Sequence, residues 1–210
     1  MDDNLYALES MVRERLAEAR AQAPAGPGHA AIVVIRPAVA DDSAAIAAIW
    51  NREVRETAAT TDTEPRSVAA QQAWLAAHGP VHPVIVAVEG DEVVAFGALS
   101  PYRAKPSYAR TAEDSVYVKD GWRGKGLGAL VLDRLLALAT EHGHHSVIAR
   151  ITAGNEPSLV LHEGRGFVRV GHERQVALKH GVWHDVVTLQ FIMGAPTWPP
   201  SPPTARSAPA

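Results

Sequence analysis

The sequence predicts a single α/β domain in which a mixed, largely antiparallel sheet is flanked by helices. Three observations lead there. Short apolar runs of strand length alternate with segments whose apolar residues recur at helical spacing. Two apolar stretches enclose Glu89-Gly90-Asp91-Glu92, a hairpin signal. A further strand ends at Val118 and passes through closely spaced glycines straight into a helix. The order that follows is β-α-α-β-β-β-α-β-α-β-β, a layered arrangement spanning residues 32–193.

The elements follow from their residues. Leu5, Leu8, Val12 and Leu16 recur at helical spacing, so residues 3–22 are expected to form an amphipathic helix. The run Ala23-Pro24-Ala25-Gly26-Pro27-Gly28 ends it, making residues 1–31 a helix and linker. Ile32-Val33-Val34-Ile35 reads as the first strand. Asp41 or Asp42 can cap a helix carrying Ile46, Ile49 and Trp50, and Ser67 a second helix through Trp74 and Leu75. Residues 84–88 and 93–99 are the hairpin strands, and Ser115-Val116-Tyr117-Val118 is the next strand. Leu127, Leu130, Val131, Leu135 and Leu138 mark a strong helix. A strand over 147–151, a helix over 156–164 and strands over 167–176 and 182–192 complete the domain. Residues 194–210 hold six prolines and read as an extended or disordered tail.

Composition narrows the function. The chain has 210 residues, 47% of them hydrophobic, with a net charge of -3. That charge argues against nucleic-acid binding, which draws on a basic stripe to neutralise phosphates. The absence of cysteine excludes disulfides, thiolate metal sites and a cysteine nucleophile. No run approaches the roughly 20 apolar residues of a membrane span. The acidic start, Met1-Asp2-Asp3-Asn4, does not read as a secretory signal, so a cytoplasmic location is expected.

The most informative stretch is Val116-Tyr117-Val118-Lys119-Asp120-Gly121-Trp122-Arg123-Gly124-Lys125-Gly126-Leu127-Gly128. Glycines at alternate positions let backbone N–H groups converge without Cβ interference. The start of a helix adds unpaired N–H groups and partial positive charge. Arg123 and Lys125 add full charges, and the whole suits a pyrophosphate. A nucleoside-triphosphate loop would need Ser or Thr after the lysine, where Gly126 stands. A dinucleotide fingerprint would need G-x-G-x-x-G, whereas the spacing here is G-x-G-x-G.

The spacing Arg123-x-x-Gly126-x-Gly128 resembles the acetyl-CoA pyrophosphate loop of GNAT N-acetyltransferases, where the loop follows the fourth strand and opens the third helix. The likeness extends along residues 33–193, through Ile35-Arg36-Pro37-Ala38, Asn51, Thr63-Glu64-Pro65, residues 111–118, Asn155-Glu156-Pro157-Ser158, Leu161-His162-Glu163 and Lys179-His180-Gly181-Val182-Trp183-His184-Asp185. The last block is similar to the phosphinothricin acetyltransferase branch, which acetylates phosphinothricin, methionine sulfoximine and related amino acids. The resemblance implies Glu113 and His162 as a catalytic pair. It also implies acetyl-CoA contacts from Val116, Tyr117, Val118, Arg123, Gly124, Lys125, Gly126, Leu127, Gly128 and Asn155, and a homodimer. Two departures stand on the acceptor side. Thr60-Thr61-Asp62 replaces an Asn-Phe-Arg-like run, and Tyr108-Ala109-Arg110 lacks a tryptophan common after the substrate-side tyrosine.

The chemistry explains the residue types. Only a neutral amine attacks a thioester, so a base must take its proton. Glu113, just before the central strand, is the candidate, and partial burial would raise its pKa; a salt-bridged loop glutamate is the alternative. His162 is expected as a second base, or to orient Glu113 or a water. Backbone N–H groups near Val118 would meet the developing oxyanion, and Tyr117 or Tyr108 could protonate the leaving thiolate. Arg103 and Lys105, before Tyr108, offer charge to an acceptor carboxylate, with ordinary surface basicity as the alternative. Thr61 and Tyr108 are expected to face the acceptor.

His142, His144 and His145 fall where a helix ends, so a solvated turn is expected there in preference to a metal site. No Gly-x-Ser-x-Gly elbow supports a hydrolase. The expected function is acetyl transfer from acetyl-CoA to a small amino-acid-like amine, with no metal and no nucleic-acid or membrane partner. Acetylation of another small amine or of a peptide, and a non-catalytic acetyl-CoA sensor, are the alternatives.

Overall fold

The computed structural model describes residues 32–194. The expected helix over residues 3–22, its linker and the proline-rich tail lie outside the described residues. Seven strands form one sheet in the order β1-β2-β3-β4-β5-β7-β6. They are β1 Val33–Pro37, β2 Val84–Glu89, β3 Glu92–Pro101, β4 Thr111–Val118, β5 Ser146–Thr152, β6 Val168–Lys179 and β7 Val182–Ile192. Every neighbouring pair is antiparallel except β4 and β5.

Among the described residues four α-helices cover the faces: α1 Ser43–Glu56, α2 Val68–Ala76, α3 Leu127–Glu141 and α4 Glu156–Glu163. In α1 the buried stripe Ile46, Ile49, Trp50 and Val54 packs with Val86, Val93 and Phe96 of the sheet. In α3 Leu127, Val131, Leu132, Leu135 and Leu138 pack with Ala95, Leu99, Ala149 and Leu189 on the opposite face. Gly97 lets α3 come this close, since a Cβ there would lie 2.5 Å from Cγ1 of Val131.

The predicted caps are met in part. The Ser67 hydroxyl accepts from Ala70 N–H at 3.1 Å and starts α2. Asp42 does not cap α1. Its carboxylate takes Arg36 at 2.6 and 2.8 Å and the Val39 N–H at 2.8 Å, which starts a 3-10 turn over Ala40–Asp42. Burial opposes charge on Asp42, but these donors hold its carboxyl below the usual value.

Two further differences matter. β4 begins at Thr111, four residues before the predicted strand, so Glu113 is a strand residue and not a loop residue. Its polar first half carries no strand pattern and is held by neighbours on both sides, β3 and β5. His144 is not in a solvated turn: it is buried, with Nε2 2.7 Å from the Val81 carbonyl.

Candidate active site

The site arises where β4 and β5 part. Their parallel ladder runs from Thr111↔Ser146 to Glu113↔Ile148 and stops. Beyond it β4 keeps β3 as far as Val118, and β5 keeps β7 as far as Thr152. The facing edges therefore diverge, leaving backbone groups of residues 114–118 without a strand partner on that side. A cleft of about 1110 Å³ opens there, lined from both strands and from the loop between β4 and α3.

The loop has the geometry that its glycines suggest. Gly121, Gly124 and Gly126 hold φ of 77°, 75° and 81°. Gly126 starts α3 without a side-chain cap, so no N-cap side chain takes up the first-turn N–H groups. Gly128 serves a different purpose: a Cβ there would lie 3.2 Å from Cδ2 of Leu161, where α3 approaches α4. Asn155 caps α4 through the Ser158 N–H and lines the cleft. A slot between parted strands, ending at an uncapped helix start, fits the pantetheine and pyrophosphate of acetyl-CoA.

The charges differ from expectation. Arg123 lines the cleft, but its guanidinium donates to the buried Glu53 carboxylate and, at 3.3 Å, to the Val118 carbonyl. Lys125 does not line the cleft; its ammonium sits 4.5 Å from the Trp122 ring centre.

Strand alternation divides the expected catalytic pair. Asp114, Val116 and Val118 face α3 and α4, and there Val116 and Val118 join the larger core. Glu113, Ser115 and Tyr117 face α1, where Tyr117 stacks on Phe96 at 5.2 Å and meets Trp50 edge-on at 5.0 Å. His162 accordingly reaches Asp114, with Nε2 2.9 Å from Oδ2, and its Nδ1 donates to the Ser158 carbonyl at 2.7 Å. Burial disfavours the imidazolium, but Asp114 and the Ser158 carbonyl outweigh it and raise the pKa. Both ring nitrogens are thus engaged by acceptors.

Glu113 is the opposite case. It is half-buried, lines the cleft and makes no side-chain hydrogen bond or ion pair among the described residues. Burial pushes its carboxyl above the usual value; Arg150 opposes that and Asp114 adds to it. Ser100 stands directly across β3 from it. The Ser100 hydroxyl lies 3.2 Å from Nε2 of His78, whose Nδ1 donates to the Trp74 carbonyl at 2.8 Å.

The remaining wall comes from α1, α2 and the loop between them. The Lys179 ammonium is buried and donates to the carbonyls of Thr60 at 2.7 Å and Glu53 at 3.2 Å, tying the β6–β7 tip to this loop. Desolvation lowers the Lys179 pKa, with Asp62 and Glu53 opposing. Burial pushes the Tyr117 phenol up, partly offset by a hydrogen bond with Thr60. Thr61 is exposed at the rim and lines the cleft. Arg103 and Tyr108 lie outside the cleft, with the Arg103 guanidinium over the rings of Tyr102 and Tyr108 at 5.0 and 5.8 Å.

Glu53, Arg66, Trp74 and Lys179 belong to this site and were not singled out as site residues from the sequence. For Glu53 a signal existed: it falls seven residues after Ile46, on the apolar stripe of α1.

Residues 46–167 match the acetyltransferase (GNAT) family, and the chain belongs to it. It is an N-acetyltransferase. Within the family it falls in the phosphinothricin acetyltransferase-like branch. A phosphinothricin N-acetyltransferase of Streptomyces coelicolor is 38% identical over 76% of this chain and 95% of that protein. An L-methionine sulfoximine/L-methionine sulfone acetyltransferase of Pseudomonas paraeruginosa is 37% identical over 75% and 92%. The crystal structure of a phosphinothricin acetyltransferase from Sinorhizobium meliloti in complex with acetyl-CoA superposes with a TM-score of 0.74 at 30% identity, covering 76% of this chain and 88% of that one.

Proposed function

We propose that the protein moves the acetyl group of acetyl-CoA to the primary amine of a small amino-acid-like acceptor of the phosphinothricin, methionine sulfoximine or methionine sulfone type. The observation that carries this reading is Glu113: a half-buried carboxylate, without a hydrogen bond or ion pair among the described residues, on the last rung before β4 and β5 separate. Acetyl-CoA enters between the strands, with its pyrophosphate on the N–H groups of residues 124–128 and Asn155 at the opposite lip. The acceptor lies on the α1 side with Glu113. Glu113 takes the amine proton as nitrogen attacks the thioester carbonyl, and the C–S bond breaks as the C–N bond forms. Unpartnered N–H groups of β4 meet the charge that develops on oxygen.

His162 acts from the other face as a positioning residue, fixing Asp114 and with it the strand beneath the thioester. Tyr117, on the acceptor face with its phenol held protonated, is placed to return a proton to the thiolate. A homodimer is supported by the edge strand β6 and its neighbour β7, which expose Val170, Val176, Leu178, Val182 and Trp183.

Release of CoA thiol from acetyl-CoA, followed with phosphinothricin, methionine sulfoximine, methionine sulfone, common amino acids and polyamines, tests the reading. Turnover is expected on the first three. Binding of acetyl-CoA with no release for any acceptor would refute it.

A further inference from the structure

Three arginines line the cleft, Arg66, Arg123 and Arg150. Arg123 is held by the buried Glu53 and Arg150 is paired with Glu173. Arg66 is engaged differently. Its backbone is clamped by the Asn51 side chain, which donates to the Arg66 carbonyl and accepts from the Arg66 N–H, both at 2.7 Å. Its guanidinium lies 4.1 Å from the Trp50 ring centre and 5.3 Å from that of Trp74. Among the described residues its side chain makes a single hydrogen bond, to exposed Asp62 at 3.2 Å. A guanidinium carries five N–H donors in a fixed fork. Most of them therefore have no acceptor among the described residues, although the side chain is only 23% exposed. The Trp50 indole N–H in the same wall is also buried without an acceptor among the described residues. Stacked, oriented and largely unpaired donors of this kind are what a bidentate anion site requires.

We propose that Arg66 is an anion subsite of the acceptor pocket, receiving a negatively charged group carried by the acceptor at the end remote from its amine. The inference rests on the acetyl-transfer reading and adds to it a preference among acceptors. Arg66 lies on the Glu113 face of β4, near Tyr117. Glu113 and Arg66 line the same cleft. An acceptor whose amine is served by Glu113 can therefore turn its other end to Arg66. Acidic amino acids and phosphinates satisfy that geometry; a neutral sulfone of similar size leaves the guanidinium unpaired.

Phosphinothricin and methionine sulfone form the test pair, since both carry an α-amine and an α-carboxylate and only the former adds an anionic phosphinate. kcat and KM would be measured for both with the full-length protein, Arg66→Gln and Arg66→Lys. Arg66→Gln is expected to lower kcat/KM for phosphinothricin roughly 10- to 100-fold more than for methionine sulfone, through KM. Arg66→Lys is expected to fall between, and the KM for acetyl-CoA to hold in both variants. Equal losses on the two acceptors, or no loss on either, would overturn the inference, and so would wild-type turnover confined to acceptors without a remote anion. Absence of acetyl transfer to every acceptor would instead overturn the proposed function itself.

Discussion

The two faces of β4 put adjacent carboxylates to opposite uses. Asp114 is fully buried and hydrogen-bonded to an imidazole whose other nitrogen is also satisfied. Glu113, one residue earlier and on the other face, is half-buried and makes no side-chain hydrogen bond or ion pair among the described residues. Asp114 is tied by one carboxylate oxygen to the His162 ring. Glu113 is desolvated, which outweighs the opposing charge of Arg150, so it binds a proton more readily than usual. The proposed function accordingly uses the face toward α1 for catalysis and the face toward α3 and α4 for anchoring. The sequence motif that joins Glu113 and His162 into a pair conceals this division.

The largest effect that would break the comparison is loss of the Glu113 base. Glu113→Gln is expected to lower kcat by roughly 100- to 10,000-fold, with the acetyl-CoA KM and thermal midpoint unchanged; steady-state kinetics and a melting curve check both. Asp114→Ala, by contrast, should remove about 3 kcal/mol of stability by leaving a buried imidazole unmatched, measured by urea denaturation. The sign with pH follows from His162. Its pKa is raised in the folded state above 6.5, so its contribution is complete below that value and fades as pH rises through the folded one. The stability gap between wild type and His162→Ala should therefore narrow from pH 6 to pH 9. Gly126→Ala, at φ 81°, is expected to cost about 1 kcal/mol and to raise the KM for acetyl-CoA while leaving that for the acceptor alone. Arg103→Ala, outside the cleft, should change kcat/KM less than about 2-fold, as for a surface residue.

Much of the fold was legible because periodicity and turn chemistry act locally. The hairpin at Gly90, the Ser67 cap and the glycine loop each carry their own signal. The start of β4 was not legible, since Thr111 to Asp114 become a strand only between two neighbours. In the site, the loop and Glu113 could be read from residue types and resemblance. The destination of Arg123 could not, because Glu53 lies 70 residues away. Nor could the stacking of Arg66, which depends on Trp50 and Trp74 arriving from separate helices. Arg103 shows the converse: a basic residue beside a tyrosine looked like an acceptor contact, but its charge stacks on neighbouring rings away from the cleft.

The pH dependence of kcat/KM, compared between wild type and Glu113→Gln, tests the division of the two faces most directly. Wild type should show an acidic limb with a midpoint above the 4.5 of an ordinary glutamate, rising as Glu113 loses its proton. In Glu113→Gln that limb should vanish, leaving only the limb set by the acceptor amine at higher pH. Persistence of the acidic limb in Glu113→Gln would contradict the account and place the base elsewhere in the cleft.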